Sequence, residues 1–480
     1  MISQVGKKRD FSKYLKTKIV ATVGPASSDE KILLQMIKNG MTVARLNFSH
    51  GQYEDHLDVI RKIRKISEAE RSPVAILQDL SGPKIRLTQM DEPVVLKKNR
   101  DVRLGVNRKL EADLYTDFKE LPGLVKKGDT ILLDDGYIEL TAKAVEEECV
   151  VCRVKVPGVA KSRKGINLPD TSVSIPVFTE KDRKDLAFGL EQKVDLVAMS
   201  FVESAENLVP IKEMIEQASM NIPVIAKIER PVALKNIDGI IEAFDGVMIA
   251  RGDLGVEVSP AEVPIIQKKL IELANKHNKM VITATQMLES MMDNPRPTRA
   301  EASDVSNAIM DGSAAVMLSG ETAAGKYPVN SVEMMKQIAL ITENSRLYNY
   351  TIEWEKKEIG LTEAIVKSAS EIAMDLHVKS IMVFTHTGKT ALLLSKYRPQ
   401  CPILAFSPNR RTVARMAAYW GVSPHYIEFT PHTDEMISRG EQHVKAEKLV
   451  KPGDLVVTVA GVTRMKGATN MLKVSQINGD

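Results

Sequence analysis

The chain has 480 residues, 44% hydrophobic and 27% charged, the balance of a globular protein with a core of normal size. Lys and Arg number 66 against 62 Asp and Glu, so the net charge of +4 supplies no general nucleic-acid or membrane surface. No run approaches the ~18 apolar residues of a membrane span, and no apolar leader follows the basic amino terminus, so a soluble, cytoplasmic protein is expected.

From residue 17 strand and helix patterns alternate. Thr17–Gly24 reads as a strand, Asp29–Asn39 as an amphipathic helix and Met41–Phe48 as a strand. Tyr53–Glu70 is a longer charged helix and Pro73–Leu80 a third strand. Strict alternation implies a parallel sheet with helices outside. It stops between Leu87 and Asn167, where no clear amphipathic helix is found. The β-like pieces there are Val94–Lys97, Thr130–Leu133, Tyr137–Ala144 and Val150–Val156, with turn signals at Gly128-Asp129 and Asp135-Gly136. A small all-β unit is inserted after the third strand.

Alternation resumes with a helix at Thr179–Glu191 and strands at Val194–Phe201, Ile222–Ile228, Gly246–Ala250, Val281–Thr285 and Ala314–Leu318. Helices are expected at Ser204–Ala218, Ala233–Ala243, Pro264–His277, Thr298–Met310 and Ser331–Asn344. The strands on both sides of the insertion total eight, the closing number of a (β/α)8 TIM barrel. A third unit opens with a helix at Leu361–His377 and has strands at Ser380–Thr385, Ile403–Phe406, Tyr426–Phe429 and Leu455–Val459, an open α/β sheet. The expected division is an N-terminal segment 1–16, a barrel from 17–87 and 168–344, a small β-barrel lid 88–167 and a C-terminal α/β domain 345–480.

Chemistry gathers at strand ends, the face on which such barrels carry their sites. Lys227 and Glu229 stand two apart and point the same way, and Asp253 arrives from the next strand. Two carboxylates there repel unless a cation bridges them, and Mg²⁺ is the natural choice, with Mn²⁺ as a substitute. Thr285 adds a hydroxyl, and the Gly252-Asp253-Leu254-Gly255 backbone offers amides to a substrate carboxylate. Arg45, Asn47, Ser49 and His50 crowd the end of the second strand, with Arg45 suited to a phosphate. Asp79 and Arg86 flank a turn into the insertion, one suited to a cation and the other to a phosphate.

Three features carry blander readings. Cys149 and Cys152 lie on one strand without a second pair, which excludes a four-cysteine zinc site. Met287–Met292 reads as barrel packing. Gly388-Lys389-Thr390 sits between a strand and a helix, but valine at 383 replaces the first glycine of a P-loop. Thr385, Thr387, Lys389 and Thr390 can still form a phosphate nest, or simply cap a helix.

Eight ordered segments resemble the pyruvate kinase family: Ile19–Ser27, Ala44–Gly51, Lys164–Pro169, Ala226–Glu229, Ala250–Gly255, Ala284–Met291, Pro297–Glu301 and Met317–Thr322. The resemblance implies a barrel, a β lid, a C-terminal regulatory domain and a homotetramer. It implies phosphoryl transfer from phosphoenolpyruvate to ADP, giving ATP and pyruvate. Glu229 and Asp253 then hold the metal, while Lys227 and Arg45 meet the phosphoryl group and Lys227 also the enolate oxygen. Gly252, Asp253 and Thr285 take the substrate carboxylate, and Ser319 joins Thr285 on the proton-delivery side. His50, Arg86, Asn47, Lys164 and Asp135 face the nucleotide.

One departure stands out. Members that need K⁺ read Thr-Lys-Gly-Pro-Glu where this chain has Leu80-Ser-Gly-Pro-Lys84, with Asn47, Ser49 and Asp79 matching their ion ligands. Lys84 implies that K⁺ is not required. A phosphorylated effector is expected at Thr385, Thr387, Lys389 and Thr390 with Arg464 and Lys466, and the short loop Gly461–Asn470 argues against fructose 1,6-bisphosphate. Two rival readings are another enolate-handling barrel enzyme and a non-catalytic effector-binding paralogue.

Overall fold

The computed structural model describes residues 14–169, 176–348, 359–461 and 469–478. Eight parallel strands close a barrel: Lys18–Thr22, Met41–Asn47, Ala75–Asp79, Leu196–Met199, Val224–Ile228, Gly246–Ala250, Met280–Ala284 and Ala315–Leu318. Each strand pairs with its predecessor in the chain, and the first pairs with the eighth. Most of these strands are buried along their whole length, as expected when barrel side chains fill the inside and helices cover the outside.

The outer helices begin on local signals. Asp29 accepts hydrogen bonds from Lys31 N and Ile32 N at the start of Glu30–Lys38. Thr179 with Asp182, and Thr298 with Glu301, form reciprocal capping boxes for Glu180–Glu191 and Arg299–Met310. Each such cap is worth ~1 kcal/mol. Where a single helix is expected over 233–243, the chain makes two short ones, Pro231–Lys235 and Ile237–Ala243, joined at Asn236.

The insertion has its own core, which includes Leu104, Ile131, Leu140, Val150 and Cys152. Its strands form a six-stranded sheet and a two-stranded ribbon, and isolated bridges join Arg86 to Gly165 and Leu87 to Thr116. It also holds a one-turn helix, Leu121–Leu124, which lacks the length to show a hydrophobic period. Cys149 and Cys152 are buried on one strand, and burial pushes the Cys152 thiol up to about 12.

In the C-terminal unit the spatial order of strands is Val422–Tyr426, Ile403–Ser407, Ser380–Phe384, Leu455–Ala460 and Met471–Gln476. The first four run parallel and the last is antiparallel. The expected strand at 426–429 therefore lies four residues earlier, on an edge that tolerates Pro424. One side of this unit joins the barrel core through residues such as Val366, Ile381 and Val457, while Phe384, Phe406, Ile437 and Val456 belong to a separate core of its own. Trp420 sits under the cations of Lys16 and Arg398, and Gly421 N donates to Lys16 O at 2.9 Å.

Candidate active site

The site grows from the ends of the second, third and fifth strands. Parallel pairing sets Asn47 beside Asp79 and Arg45 beside Leu77. Asp79 is 1% exposed and takes Arg45 through two nitrogens, Nε at 2.7 Å and Nη2 at 2.6 Å. Its other oxygen lies 3.2 Å from Lys227 Nζ. Arg45 also donates to Thr22 Oγ1 at 2.8 Å. Lys227 donates to Ser200 Oγ at 2.7 Å and lies 2.9 Å from Glu229 Oε1. One buried carboxylate thus aims two cations at the mouth of the barrel.

The charges are settled by their neighbours. Burial opposes the Lys227 ammonium, but Asp79 and Glu229 outweigh it and raise its pKa above the usual lysine range. Burial likewise opposes the Asp79 carboxylate, and Lys227 and Arg45 reverse this and lower it. Glu229 moves the other way: burial first, and then the Asp253 carboxylate, raise it against Lys227. That strain between Glu229 and Asp253 is what a divalent cation relieves, so the donor set fits Mg²⁺.

Asp253 lies in a short helix, Arg251–Glu257, that starts directly after the sixth strand. Gly252 and Asp253 lie in the first turn of that helix, where backbone amides have no intrahelical acceptor, and Gly252 N donates to Thr285 Oγ1 at 2.7 Å. Thr285 and Gln286 both have left-handed backbones, with φ of 65° and 52°. For a β-branched residue this costs roughly 1–3 kcal/mol and persists only when neighbours enforce it. Arg251 does so, donating to Thr285 O at 2.8 Å and Gln286 O at 3.1 Å while paired with Asp304. Ser319 follows the eighth strand; its N donates to Glu321 Oε2 at 2.7 Å, and its buried Oγ has no protein partner among the described residues. Met287 and Met291 are fully buried, as packing residues should be.

A second group of cations lies on the lid side. Partial burial, then Arg86, Lys84 and Arg45, lower His50 below its usual value. Arg86 donates to Arg163 O at 3.0 Å, and Lys164 Nζ pairs with Asp134 at 2.7 Å. A Cβ on Gly136, next to Asp135, would stand 3.6 Å from Val256 Cγ1, so the tip of the insertion reaches the barrel rim. The residues expected at the ion site or its remnant have protein partners here. Asn47 Oδ1 accepts from Ser49 N at 3.1 Å, Asp79 serves Arg45 and Lys227, and Lys84 Nζ pairs with Asp253 Oδ1 at 3.4 Å.

The pyruvate kinase barrel-domain family model matches residues 14–332, and the pyruvate kinase alpha/beta-domain model matches 363–475. The chain belongs to the pyruvate kinase family. A pyruvate kinase of Geobacillus stearothermophilus is 46% identical over 96% of this chain and 80% of its own length. One of Clostridium acetobutylicum is 42% identical over 96% of this chain and 99% of its own. A crystal structure of a pyruvate kinase from Cryptosporidium parvum superposes with a TM-score of 0.89, at 34% identity and 96% coverage of both chains. The chain is accordingly a phosphotransferase of the glycolytic type, acting between phosphoenolpyruvate and ADP.

Sequence reasoning passed over Ser200, Thr22, Glu321 and Arg251. Ser200 and Thr22 stand at or just beyond strand ends, where the rule that found Lys227 applies equally. No local signal marks Arg251, whose partner Asp304 is distant, or Glu321, which joins neighbouring Ser319 N to distant Leu288 N. Thr385, Thr387, Lys389 and Thr390 do come together, lining an open cavity of about 720 Å³ in the C-terminal unit. Thr390 Oγ1 lies 2.7 Å from Thr469 Oγ1, and Arg464 and Lys466 lie outside the described residues.

Proposed function

We propose that Asp79 holds Arg45 and Lys227 as a paired cation on the transferring phosphoryl group of phosphoenolpyruvate. The observation that carries this is the sharing of one buried carboxylate by both side chains, at 2.6 and 3.2 Å. Phosphoryl transfer needs little covalent help and much placed charge. Lys227 then stabilises the enolate oxygen that transfer leaves behind. Glu229 and Asp253 hold Mg²⁺, or Mn²⁺ in its place, and that ion supplies further positive charge to the phosphoryl and carboxylate oxygens when bound. Gly252, Asp253 and Thr285 take the substrate carboxylate. Thr285 and Ser319 border the enolate carbon, and the buried Ser319 hydroxyl suits a water that delivers the proton.

On the far side, His50 with Arg86, Asn47, Lys164 and Asp135 receives the ADP phosphates, and the lid excludes water so that transfer is not lost to hydrolysis. Lys84 supplies permanently the charge that K⁺ brings elsewhere, making the enzyme K⁺-independent. Its ammonium in the ion pair with Asp253 supports this, because the side chain turns into the site. The cavity at Thr385, Thr387, Lys389 and Thr390 takes a phosphorylated effector, with Arg464 and Lys466 as further candidates. The enzyme acts in the cytoplasm, as a homotetramer. No helix among the described residues is long and apolar enough to cross a membrane.

The test is pyruvate formation from phosphoenolpyruvate and Mg²⁺ with and without ADP, in the native enzyme and in Glu229→Gln. ADP-dependent pyruvate that disappears in the variant is expected. Undiminished turnover in Glu229→Gln refutes the metal assignment.

A further inference from the structure

We propose that Lys84 competes with the divalent cation for Asp253, so that the enzyme carries its own counter-charge at the metal site until a metal displaces it. This rests on the reading that Glu229 and Asp253 are the metal ligands. The two carboxylates are not equally engaged. Glu229 is committed to Lys227 Nζ at 2.9 Å and to Phe201 N at 2.7 Å. Asp253 instead meets Lys84 Nζ at 3.4 Å, and the two side chains are 28% and 29% exposed. The pair is therefore loose and open to solvent, and a hydrated ion can reach it.

Lys84 is held in that place by packing on both sides of the hinge into the lid. Ser81 Oγ accepts from Lys181 Nζ at 3.1 Å, and Gly82 N donates to Asp182 Oδ1 at 3.1 Å. Gly82 has φ +63°, and a Cβ on it would stand 2.7 Å from the Phe201 ring. Lys84 N closes the turn on Gly82 O at 3.0 Å. Beyond the turn the lysine stem lies under the lid, where a Cβ on Gly165 would come within 3.2 Å of Lys84 Cε. The stem is thus confined between the lid base and Asp253.

A metal that binds Asp253 must push aside this ammonium or accept its repulsion. Unit charges about 4 Å apart interact strongly at an effective dielectric near 20, and the exposure here screens part of that. The consequence is weak metal binding in the absence of substrate. When phosphoenolpyruvate is present, its phosphate offers the displaced ammonium a new partner, so metal and substrate reinforce each other.

The experiment measures Mn²⁺ binding to the full-length protein without substrates, by the electron paramagnetic resonance signal of free Mn²⁺. Lys84→Met and Lys84→Gln should bind roughly tenfold tighter than the native enzyme, and Lys84→Arg should stay near it. Adding phosphoenolpyruvate should tighten Mn²⁺ binding less in Lys84→Met than in the native enzyme. Unchanged or weaker Mn²⁺ affinity in both Lys84→Met and Lys84→Gln overturns the competition. Asp253→Asn separates the premise from the proposal. If it leaves Mn²⁺ binding intact, the metal assignment falls and the competition with it. If it abolishes binding while the lysine variants change nothing, only the competition falls.

Discussion

Replacing Asp79 by Asn is the sharpest perturbation the structure offers. The substitution keeps the shape and removes one negative charge that is 1% exposed. Three nitrogen contacts depend on that charge: Arg45 Nε at 2.7 Å, Arg45 Nη2 at 2.6 Å and Lys227 Nζ at 3.2 Å. Removing one member of a buried charge group costs ~3–5 kcal/mol, because the remaining charges stay desolvated and uncompensated. The amide oxygen still accepts one hydrogen bond, which places the cost near ~3 kcal/mol, about a hundredfold in the folded-to-unfolded ratio. Catalysis should suffer with stability, since Lys227 loses one of the two carboxylates that aim it. A fall in kcat of roughly 10²–10³ is expected, the size seen when a placed charge-stabilising donor is lost. The assay couples pyruvate to lactate dehydrogenase, alongside urea unfolding followed by circular dichroism. Near-native kcat together with an unchanged urea midpoint would refute the reasoning. The same group predicts an acid limb. Its pKa is lowered on folding, so its stabilisation is complete above the unfolded value of 3.8 and is lost as pH falls through the lower folded value. Asp79→Asn should flatten that loss.

Further outcomes follow from the same geometry. Lys227→Met should cut kcat by about 10²–10³ or more while changing substrate binding far less, and near-normal turnover would remove Lys227 from its role. The native enzyme should be fully active with Mg²⁺ in tetramethylammonium buffer without K⁺, and Lys84→Glu should acquire K⁺ dependence. Strong K⁺ activation of the native enzyme at matched ionic strength would end that idea. Lys389→Ala should abolish the shift in half-saturation by phosphoenolpyruvate that sugar phosphates, phosphoglycerate or AMP produce. An unchanged response to each of these would place the effector elsewhere.

Most of the barrel was legible because its strands are short, fully buried apolar runs that alternate with amphipathic helices. Gly246–Ala250 is recovered to the residue for that reason. The edges were harder. Val422–Tyr426 contains proline and two polar residues, and Met471–Gln476 is half exposed, so neither shows a buried-strand pattern. In the lid, Asp101–Gly105 alternates buried and open positions and could have been found by the two-residue period. Site residues were legible one at a time, as reactive groups at strand ends. Their pairing was not. Asp79 and Lys227 are 148 positions apart, and only barrel closure brings the third strand to the fourth and the fourth to the fifth. Lys84 shows the same limit. Its charge is plain in the sequence, but its partner, Asp253, comes from 169 positions away.

The most direct measurement of the central claim is a phosphorus NMR time course of phosphoenolpyruvate, ADP and Mg²⁺ with the native enzyme. The account predicts that the phosphoenolpyruvate signal passes into the γ-phosphate of ATP with no inorganic phosphate, and that Lys227→Met all but stops the transfer. Release of inorganic phosphate, or loss of phosphoenolpyruvate without ADP, would contradict it.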